Sequence, residues 1–509
     1  MVFHFIAFSA LVLFTGLWFL FKERNVSTSF VGKGFWLALI SYLISLVFGK
    51  WGLLFELLFL VPLDVAIFVI LVILFNNFVS KSKVLFTLFG IVLLIIKFFV
   101  FDISLKMYHS INSSVKLDSD GELLMDLGDG RKIHELQAFF DEYQITYRKA
   151  FPHIRHHEYS TLDDYYVLDI PEKHESKLQE ISQRLMSSGY ADWVEQNEVI
   201  QTTPIKGYES KKTDNDYGIN DPALSNLWSF KAMQMDALYK LLIDNNIKPK
   251  KVAKIAILDT GVDSEHEDIS ANFVSTDNSY NQDVVGHGTH CAGIANAVSN
   301  NAKGIASFSP TNEFVKVTSI KVLNDWGGGT QESVIGGIIE AADKGADVIS
   351  MSLGGPSDDR VQKAYNEAIK YANKSGAIVV VAAGNSDENA IEFSPANAEG
   401  VIAVAAVEDG LKKAEFSNHI TDLKMGIAAP GVNIYSTFPK NEYKFLSGTS
   451  MATPYVAGLL GLMKAIYPDL DTPTAYQILK ETGVATQDTE KTGNFIQPAK
   501  AVEKILEAK

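Results

Sequence analysis

The chain has 509 residues, enough for two or three domains that each bury a core of their own. Its formal net charge of −15 argues against a nucleic-acid partner, because a phosphate backbone would be repelled over most of the surface. A single cysteine, Cys291, excludes an intrachain disulfide and any metal site built from several cysteines.

Residues 1–105 are almost continuously apolar, whereas the rest of the chain has the composition of a soluble protein. Four apolar runs, each near the roughly 20 residues that cross a bilayer as a helix, predict an all-α transmembrane region. Basic residues concentrate in the first and third connections, which predicts that these face the cytoplasm and that residues 102–509 lie outside. A cleaved signal peptide is the alternative for the first run, although no charged start precedes it. The runs cover residues 3–21, 30–48, 52–75 and 84–101.

Residues 121–202 follow the order strand, helix, strand, strand, helix, strand. This order is typical of a small α+β sandwich of the ferredoxin-like kind. A polar stretch with Pro204 and a Lys211-Lys212 pair then predicts an exposed linker over residues 203–221. The predicted strands cover residues 122–127, 145–150, 165–170 and 193–200, and the predicted helices cover residues 133–143 and 173–188.

Residues 222–509 contain uniformly apolar strands that alternate with helical stretches. Strands of this kind are buried on both faces, so we expect an α/β domain with a doubly wound parallel sheet. Functional sites in such sheets lie beyond the carboxyl ends of the strands. Four of the strands are predicted at residues 252–258, 315–322, 377–383 and 401–407.

Three segments of this domain each place a reactive side chain among small residues. Asp259 ends a buried strand in IAILDTGVD, His287 stands between glycines in GHGTHCAGIA, and Ser450 begins a helix in LSGTSMATPYVAG. Taken singly, such an aspartate is usually a turn or cap residue, and such a serine an N-cap. Together they supply a nucleophile, a base and a carboxylate that orients the base, although spacing alone does not prove that they meet. The pair His287 and His290 raises metal binding as an alternative, but the glutamate of the zinc-protease pattern is missing between them.

In the order Asp, His, Ser, these segments resemble the three signature motifs of the subtilisin-like serine peptidases. The resemblance continues through SLGG at residues 352–355, VVVAAGN ending at Asn385 and APG at residues 429–431, and covers roughly residues 220–506. It implies a serine endopeptidase acting on proteins or peptides, with no cofactor for catalysis. Ser450 would attack the scissile carbonyl, His287 would relay the proton, and Asp259 would stabilise the imidazolium.

The resemblance also assigns residues around the triad. Asn385 would donate its side-chain amide to the oxyanion, with a turn residue after a strand as the plain alternative. Two glycine-containing segments resemble the edges between which a substrate is laid as an added strand, and without the resemblance both would be loops. These segments are Gly327, Gly328 and Gly329, and Ser352, Leu353 and Gly354.

Family members are commonly made with a propeptide of βαββαβ form, and WVEQNE at residues 193–198 resembles the end of one. Residues 121–202 would then assist folding and occlude the active site as the protease domain's own partner; a substrate-binding or spacer domain is the alternative. The Thr203–Pro204 bond falls where self-cleavage is expected, and proline is a poor scissile partner, so cleavage would shift, for instance to Gln201–Thr202. Because the membrane region precedes this domain, cutting the linker would release the protease domain unless it stays bound.

Two positions bear on calcium and specificity. Asp268 matches a calcium-ligand position of the family, but the loop at residues 299–304 is short where further ligands are expected, so the structural calcium site is expected to be weakened or absent. Glu392 and Phe393 lie near the predicted base of the primary specificity pocket. An acidic base would favour cationic side chains, whereas a phenylalanine would shrink the pocket.

Two residues of the histidine motif have expected structural roles. His290 resembles the second histidine of the motif, which in the family is structural. Cys291 would lie directly behind His287 as a buried thiol, so a bulky mercurial bound there would press on the imidazole.

Two other functions compete with a membrane protease. A membrane scaffold without turnover would be expected to have lost a triad residue, and none is lost. A transporter or signal receiver would use Glu56 and Asp64 in the third apolar run, although a broken helix with carboxylates at the interface explains them equally well. The sequence therefore predicts a multi-pass serine endopeptidase of a bacterial cell membrane, in contact with the lipid bilayer and with its protease domain on the extracytoplasmic side.

Overall fold

A four-stranded antiparallel sheet with two helices forms the first part of the computed structural model, which describes residues 121–128, 130–202, 205–209, 217–357 and 362–507. The elements are β1 (Leu123–Leu127), α1 (Gln137–Tyr143), β2 (Thr146–Lys149), β3 (Tyr165–Asp169), α2 (Leu178–Ser187) and β4 (Ala191–Gln196). The strands lie in the order β2-β3-β1-β4, and the chain visits strand, helix, strand, strand, helix, strand as predicted. Each predicted helix begins with a 3₁₀ segment.

Both faces of β1 are buried, because its side chains point alternately to the two sides of the sheet and pack in two different apolar clusters. Leu123 and Met125 belong to one apolar cluster with Phe140 of α1 and Leu185 of α2. Leu124 belongs to a different cluster, which continues into the second part of the chain. The first domain therefore packs its helices on one face and the second domain on the other.

The predicted strand at residues 193–200 is wrong in one respect, because it splits into two. β4 ends at Gln196, and β5 (Val199–Gln201) leaves the sheet to pair with another element. Asn197 makes the break: its backbone N–H donates to the Glu122 carbonyl oxygen at 2.9 Å, and its side-chain oxygen accepts from the Glu332 N–H at 3.0 Å. Polar bonds to two different partners thus turn the chain out of the sheet.

The expected parallel sheet is present and has six strands. They are β7 (Ala253–Asp259), β8 (Val315–Lys321), β10 (Val348–Met351), β12 (Ile378–Ala382), β14 (Val401–Val407) and β15 (Gly426–Pro430). Their order is β15-β14-β12-β10-β7-β8, and all five pairings between neighbours are parallel. The strand order reverses beside β7, which is where open α/β sheets leave a crevice at the carboxyl ends.

Helices cover both faces of this sheet. They are α3 (Trp228–Ala232), α4 (Met235–Asp244), α5 (His287–Asn296), α6 (Gln331–Asp343), α7 (Lys363–Lys374), α8 (Thr449–Ile466), α9 (Thr472–Thr482), α10 (Thr489–Thr492) and α11 (Pro498–Glu507). Alternate side chains of β7 point to opposite faces of the sheet and pack against different helices. Ile255 and Ile257 join the cluster that contains the fully buried helix α8, whereas Ala256 and Leu258 join the cluster of α6 and α7.

Three small sheets surround the carboxyl edge, and one of them includes a strand from the predicted linker, residues 203–221. Ile205–Lys206 forms β6 with both residues exposed, whereas Tyr217 and Asp221 are buried. The Asp221 carboxylate is held by the backbone N–H groups of Asn300 and Asn301 at 2.7 and 3.1 Å. The small sheets pair β5 with β9 (Gly328–Thr330), β11 (Gly355–Pro356) with β13 (Phe393–Ser394), and β16 (Ile434–Phe438) with β17 (Glu442–Ser447) and β6.

The four predicted membrane runs, at residues 3–21, 30–48, 52–75 and 84–101, lie outside the described residues. Within the described ranges, no helix combines the length and the apolar character needed to cross a membrane.

Candidate active site

Asp259 and His287 meet in a buried pair at the carboxyl edge of the parallel sheet. Asp259 is the last residue of β7 and His287 the first of α5, and each side chain is 1% exposed. The imidazole Nδ1 lies 2.8 and 2.9 Å from the two carboxylate oxygens. Gly288 permits this approach, because a Cβ there would clash with the Gly261 carbonyl oxygen. The carboxylate holds a proton on Nδ1, which leaves Nε2 as the basic nitrogen.

Two opposing effects act on the pKa of His287. Burial alone would lower the pKa, but the charge and hydrogen bond of Asp259, with a smaller contribution from Asp283, favour the imidazolium. The pKa of His287 is therefore raised above its ordinary value. A base of this kind accepts a proton more readily than an isolated histidine.

The second histidine of the motif has a different environment. His290 Nε2 lies 2.9 Å from the Lys444 carbonyl oxygen, and burial lowers the pKa of His290 to about 3. His290 is therefore neutral and structural, as the resemblance implies. Since His287 faces Asp259 and His290 faces a backbone carbonyl, the two imidazoles do not converge on a shared metal.

Ser450 lies at the start of α8, and a proline further along the helix influences how it is held. Pro454 has no N–H to donate to the Ser450 carbonyl oxygen, four residues earlier. That oxygen accepts instead from Ser352 Oγ at 2.8 Å and from Cys291 Sγ at 3.5 Å. The Ser450 hydroxyl donates to the Ser352 carbonyl oxygen at 3.1 Å. Within the described residues His287 Nε2 has no hydrogen-bond partner, so the hydroxyl must turn from Ser352 to reach the base.

Asn385 follows β12 and faces the start of α8. Its side-chain oxygen accepts from the Thr449 N–H at 2.8 Å and from Thr449 Oγ1 at 2.9 Å. The amide Nδ2 is thereby turned toward Gly448, where the position of a Cβ would be 3.4 Å away. Asn418 supports the loop by donating to the Ala383 carbonyl oxygen at 3.0 Å. Thr449 thus orients the Asn385 amide before any substrate arrives, while Asn418 holds the loop, and the sequence interpretation missed both roles.

Asp283 is a further residue that the sequence interpretation missed. It is buried and accepts from the backbone N–H groups of Gly286 and Thr289, each at 2.8 Å. A further hydrogen bond, from Thr260 Oγ1 at 2.8 Å, ties the start of α5 to the turn after β7. An aspartate just before a helix start is a recognisable capping signal, but only the structure shows that it joins the segments carrying Asp259 and His287.

The two predicted substrate-binding edges are present, and a strand of the same chain lies between them. β5 pairs antiparallel with β9, with Ile200 opposite Gly329 and Gln201 opposite Gly328. Gln201 also bridges to Gly354 on the other edge. The next residue continues this pairing, since the Thr202 N–H donates to the Gly327 carbonyl oxygen at 3.0 Å.

Comparison with known proteins agrees with this geometry. The Subtilase family profile (Peptidase_S8) matches residues 250–497. The chain is 46% identical over 217 residues to Thermitase of Thermoactinomyces vulgaris, an alignment that covers 42% of this chain and 74% of that protein.

This chain belongs to the subtilase family. As a subtilase it is a serine endopeptidase. It is also 42% identical over 244 residues to Subtilisin DY of Bacillus licheniformis, covering 46% of this chain and 85% of that protein. A solved structure of a protease from Pseudoalteromonas arctica is similar with a TM-score of 0.50 and 27% identity, over 58% of this chain and 100% of that chain.

Asp268, which matches a calcium-ligand position of the family, accepts hydrogen bonds from N–H donors of the same chain. Asp268 is buried, its Oδ1 accepts from Asn301 Nδ2 at 2.8 Å, and its Oδ2 accepts from the Ile305 N–H at 2.8 Å. Burial raises the pKa of Asp268 to about 7. A calcium ion requires oxygen ligands in these directions, so the residues present do not fit one.

Of the two candidates for the base of the specificity pocket, Phe393 is the one that packs beside the catalytic loop. It is buried in β13, and a Cβ on Gly384 would lie 3.2 Å from its ring. Glu392 is partly exposed, and its carbonyl oxygen accepts from the Ser357 N–H at 2.8 Å.

Proposed function

We propose that this subtilase is a membrane-anchored serine endopeptidase that hydrolyses peptide bonds through an acyl-enzyme, with Asp259, His287 and Ser450 as its triad. The observation that carries the proposal is the buried Asp259–His287 pair beside a cleft in which a peptide strand is already bound by backbone pairing. Strand addition of this kind is a general way to hold an extended peptide.

The proposed reaction begins with a rotation of the Ser450 hydroxyl from the Ser352 carbonyl oxygen to His287 Nε2. As Oγ attacks the scissile carbonyl carbon, His287 takes the hydroxyl proton, and the Asp259 carboxylate stabilises the imidazolium. The same proton then goes to the leaving nitrogen as its bond to carbon breaks. Water hydrolyses the resulting ester by the reverse sequence of proton transfers.

The oxyanion would be stabilised by Asn385 and by the start of α8. Thr449 holds the oxygen of the Asn385 amide, and this contact orients the amide nitrogen as a donor for a substrate oxygen. Backbone N–H groups in the first turn of α8 have no partner within the helix and carry the positive end of its dipole. Donors fixed in advance stabilise the developing charge without reorganisation.

We propose further that residues 121–202 are an inhibitory propeptide of ferredoxin-like form. Support comes from the sheet order and from its polar contacts with the protease domain. The buried Glu195 carboxylate accepts from Gln331 Nε2 at 2.7 Å and from the N–H groups of Lys363 and Ala364 at 3.0 and 3.2 Å. These donors lie at the starts of α6 and α7, where a negative charge is favourable.

Charged side chains reinforce the same interface. Lys363 Nζ lies 2.6 Å from the Asp126 carboxylate, and Arg148 forms a two-pronged ion pair with Glu332. Two-pronged arginine–carboxylate contacts fix orientation as well as adding attraction. A domain bound in this way, with its last strand in the cleft, is suited to inhibition rather than to a spacer role.

The membrane anchor is proposed from the four apolar runs in residues 1–105, and the extracytoplasmic side of a bacterial cell membrane from the basic connections between them. Processing in the linker, residues 203–221, would separate this anchor from the protease domain. The purpose of such processing would be release or activation of the peptidase.

The test uses membranes that contain the full chain with N-terminal and C-terminal tags. A brief trypsin digestion, aimed at the Lys211-Lys212 pair and then stopped with a trypsin inhibitor, is followed by a labelled peptide without lysine or arginine. Hydrolysis by the wild type and none by Ser450→Ala is expected, with the N-terminal tag retained in the membrane pellet after alkaline extraction. Equal absence of hydrolysis in both would contradict the endopeptidase, and an N-terminal tag in the supernatant would contradict the anchor.

A further inference from the structure

A second buried carboxylate, Asp283, holds the start of the helix that carries His287. Five donors point at its two oxygens, each at 2.8–3.1 Å. Donors on every side suit an anion, since a neutral acid would need an acceptor for its own proton. The donors are the hydroxyls of Thr260 and Thr289 and the backbone N–H groups of Val285, Gly286 and Thr289.

Thr260 links this carboxylate to the catalytic one. Its backbone N–H donates to Asp259 Oδ1 at 2.7 Å, and its hydroxyl donates to Asp283 Oδ1 at 2.8 Å. The same hydroxyl accepts from the Gly288 N–H at 3.1 Å, in the first turn of α5. One side chain therefore joins the end of β7, the Asp283 carboxylate and the helix that carries His287.

The backbone between Asp259 and His287 does not supply this restraint by itself. The chain leaves β7 and enters α5 through two glycines, Gly261 and Gly286, with φ of 105° and 90°. Glycine has the widest conformational freedom of any residue, so side-chain hydrogen bonds have to fix the two elements. The fixed distance matters for catalysis, because a misplacement of about 1 Å can lower the rate about 10²-fold.

Asp283 also acts on His287 through its charge. Burial lowers the pKa of His287, but the charge and hydrogen bond of Asp259 raise it, and the charge of Asp283 adds to this upward effect. A nearby negative charge stabilises the imidazolium, which is the state that the histidine reaches when it takes the proton of Ser450.

The other ionisable groups close to this network do not replace the charge of Asp283. On α5, burial lowers the pKa of His290 to about 3 and raises the pKa of the Cys291 thiol, so both side chains are neutral. On β8, Lys321 donates to the Thr260 carbonyl oxygen and pairs with Asp325 at 2.9 Å.

From this arrangement, and resting on the proposed function, we propose that Asp283 is a positioning residue of the proteolytic reaction, which holds Asp259 against His287 through Thr260 and strengthens the base by its charge. It touches neither the substrate nor Ser450 in this role. An aspartate that only capped α5 would stabilise the fold without affecting the pH dependence of the rate.

The experiment measures initial rates on a labelled peptide over a range of pH, with the full chain in membranes after linker digestion. Asp283→Asn removes the charge and keeps the shape of the side chain. Thr260→Val removes the bridging hydroxyl and leaves both carboxylates, whereas Thr260→Ser keeps the hydroxyl. A serine-directed label counts the active sites, and the Tm of each variant is measured in a Ser450→Ala background.

Asp277→Asn is the matched control. Asp277 lies in the same connection and caps the 3₁₀ turn Asn278–Tyr280, where it accepts from the N–H and the hydroxyl of Ser279 at 2.8 and 2.7 Å. The substitution therefore changes a capping aspartate that bonds its own turn and not the segments of Asp259 and His287.

We expect Asp283→Asn to lower kcat per active site by up to about 10²-fold with KM unchanged, and to move the acid limb of kcat/KM to lower pH. The direction follows because an imidazolium with one neighbouring anion fewer loses its proton at lower pH. Thr260→Val should lower kcat while the acid limb stays near that of the wild type, since the charge remains. Thr260→Ser and Asp277→Asn should both behave as the wild type.

A lower Tm for Asp283→Asn, with the kcat and acid limb of the wild type, would make Asp283 a helix cap only and overturn the proposal while the endopeptidase stands. Wild-type kcat in Thr260→Val would overturn it as well, and this measurement remains decisive if Asp283→Asn does not fold. A wild type that hydrolyses no peptide after linker digestion would overturn the endopeptidase, and the positioning role with it.

Discussion

Replacing Asp268 with alanine is predicted to lower the Tm of the protein. Calcium is predicted to leave the Tm unchanged both before and after the substitution. The substitution removes the acceptor of two donors, the buried Ile305 N–H and the partly buried Asn301 amide, which now bond the carboxylate at 2.8 Å each. An unsatisfied buried donor costs about 1–3 kcal/mol, and the Asn301 amide can turn to water, so the total is about 1–3 kcal/mol. At roughly 2 °C per kcal/mol for a large domain, Tm should fall by roughly 2–6 °C.

The pH dependence of stability provides a second test of the role of Asp268. Burial raises the pKa of Asp268 to about 7 from its ordinary 3.8, so the folded state holds the proton more tightly than the unfolded state does. The contribution of this group to stability therefore declines as pH rises from about 4 to about 7. Asp268→Ala should remove that part of the slope.

The assay is thermal unfolding of the Ser450→Ala chain, which cannot digest itself, in the presence of a chelator and then of excess calcium. Asp409→Ala, at an exposed turn of the same domain, is the matched control and should leave Tm nearly unchanged. The reasoning is refuted if calcium raises the Tm of the parent and Asp268→Ala abolishes that rise. It is also refuted if Asp268→Ala unfolds at the temperature of the control.

Three further predictions concern activity, each measured by initial rates on a peptide substrate with the linker cut. Asp259→Asn should lower kcat by about 10³–10⁴-fold. It should also move the acid limb of the kcat/KM profile to lower pH, because it removes the carboxylate that raises the pKa of His287. An acid limb at the same pH would contradict this. Asn385→Ala should lower kcat by about 10²–10³-fold with little change in KM, and a loss below tenfold would argue against an oxyanion role. A bulky mercurial should inhibit the enzyme through Cys291, because the cysteine Sγ lies within 4.8 Å of the facing Asp259 and His287 atoms. The reaction should be slow, because burial raises the pKa of this thiol. Cys291→Ala should resist the reagent.

Features set by neighbouring residues could be read from the sequence. The strand at Val401–Val407 was predicted to the residue, because a run of β-branched and small apolar residues can be satisfied only inside a covered sheet. Asp259, His287 and Ser450 were identified because their three short motifs, in this order, resemble the signature motifs of the subtilisin-like peptidases. Taken singly, each residue has a plain turn or capping role, and only the structure shows that Asp259 and His287 meet at the carboxyl edge of the sheet.

Features that depend on distant partners could not be read in this way. Asp283 is one aspartate among many until Thr260 and Thr289 are seen to bond it, and Asp268 matched a calcium position until Asn301 supplied its amide. The apolar pattern at residues 193–200 looked like one strand because periodicity reports burial and not which sheet provides it.

The sequence by itself determined which side chains carry the chemistry and which segments become strands and helices, since those properties depend on residues close along the chain. Only the tertiary structure decided that Val199–Gln201 leaves its own domain to lie between Gly327–Gly329 and Gly354, and that Ile205 pairs with Ser447. The physical reason is that strand pairing depends on a register between segments more than 100 residues apart, and backbone hydrogen bonds that set such a register carry no signature in the residues that make them.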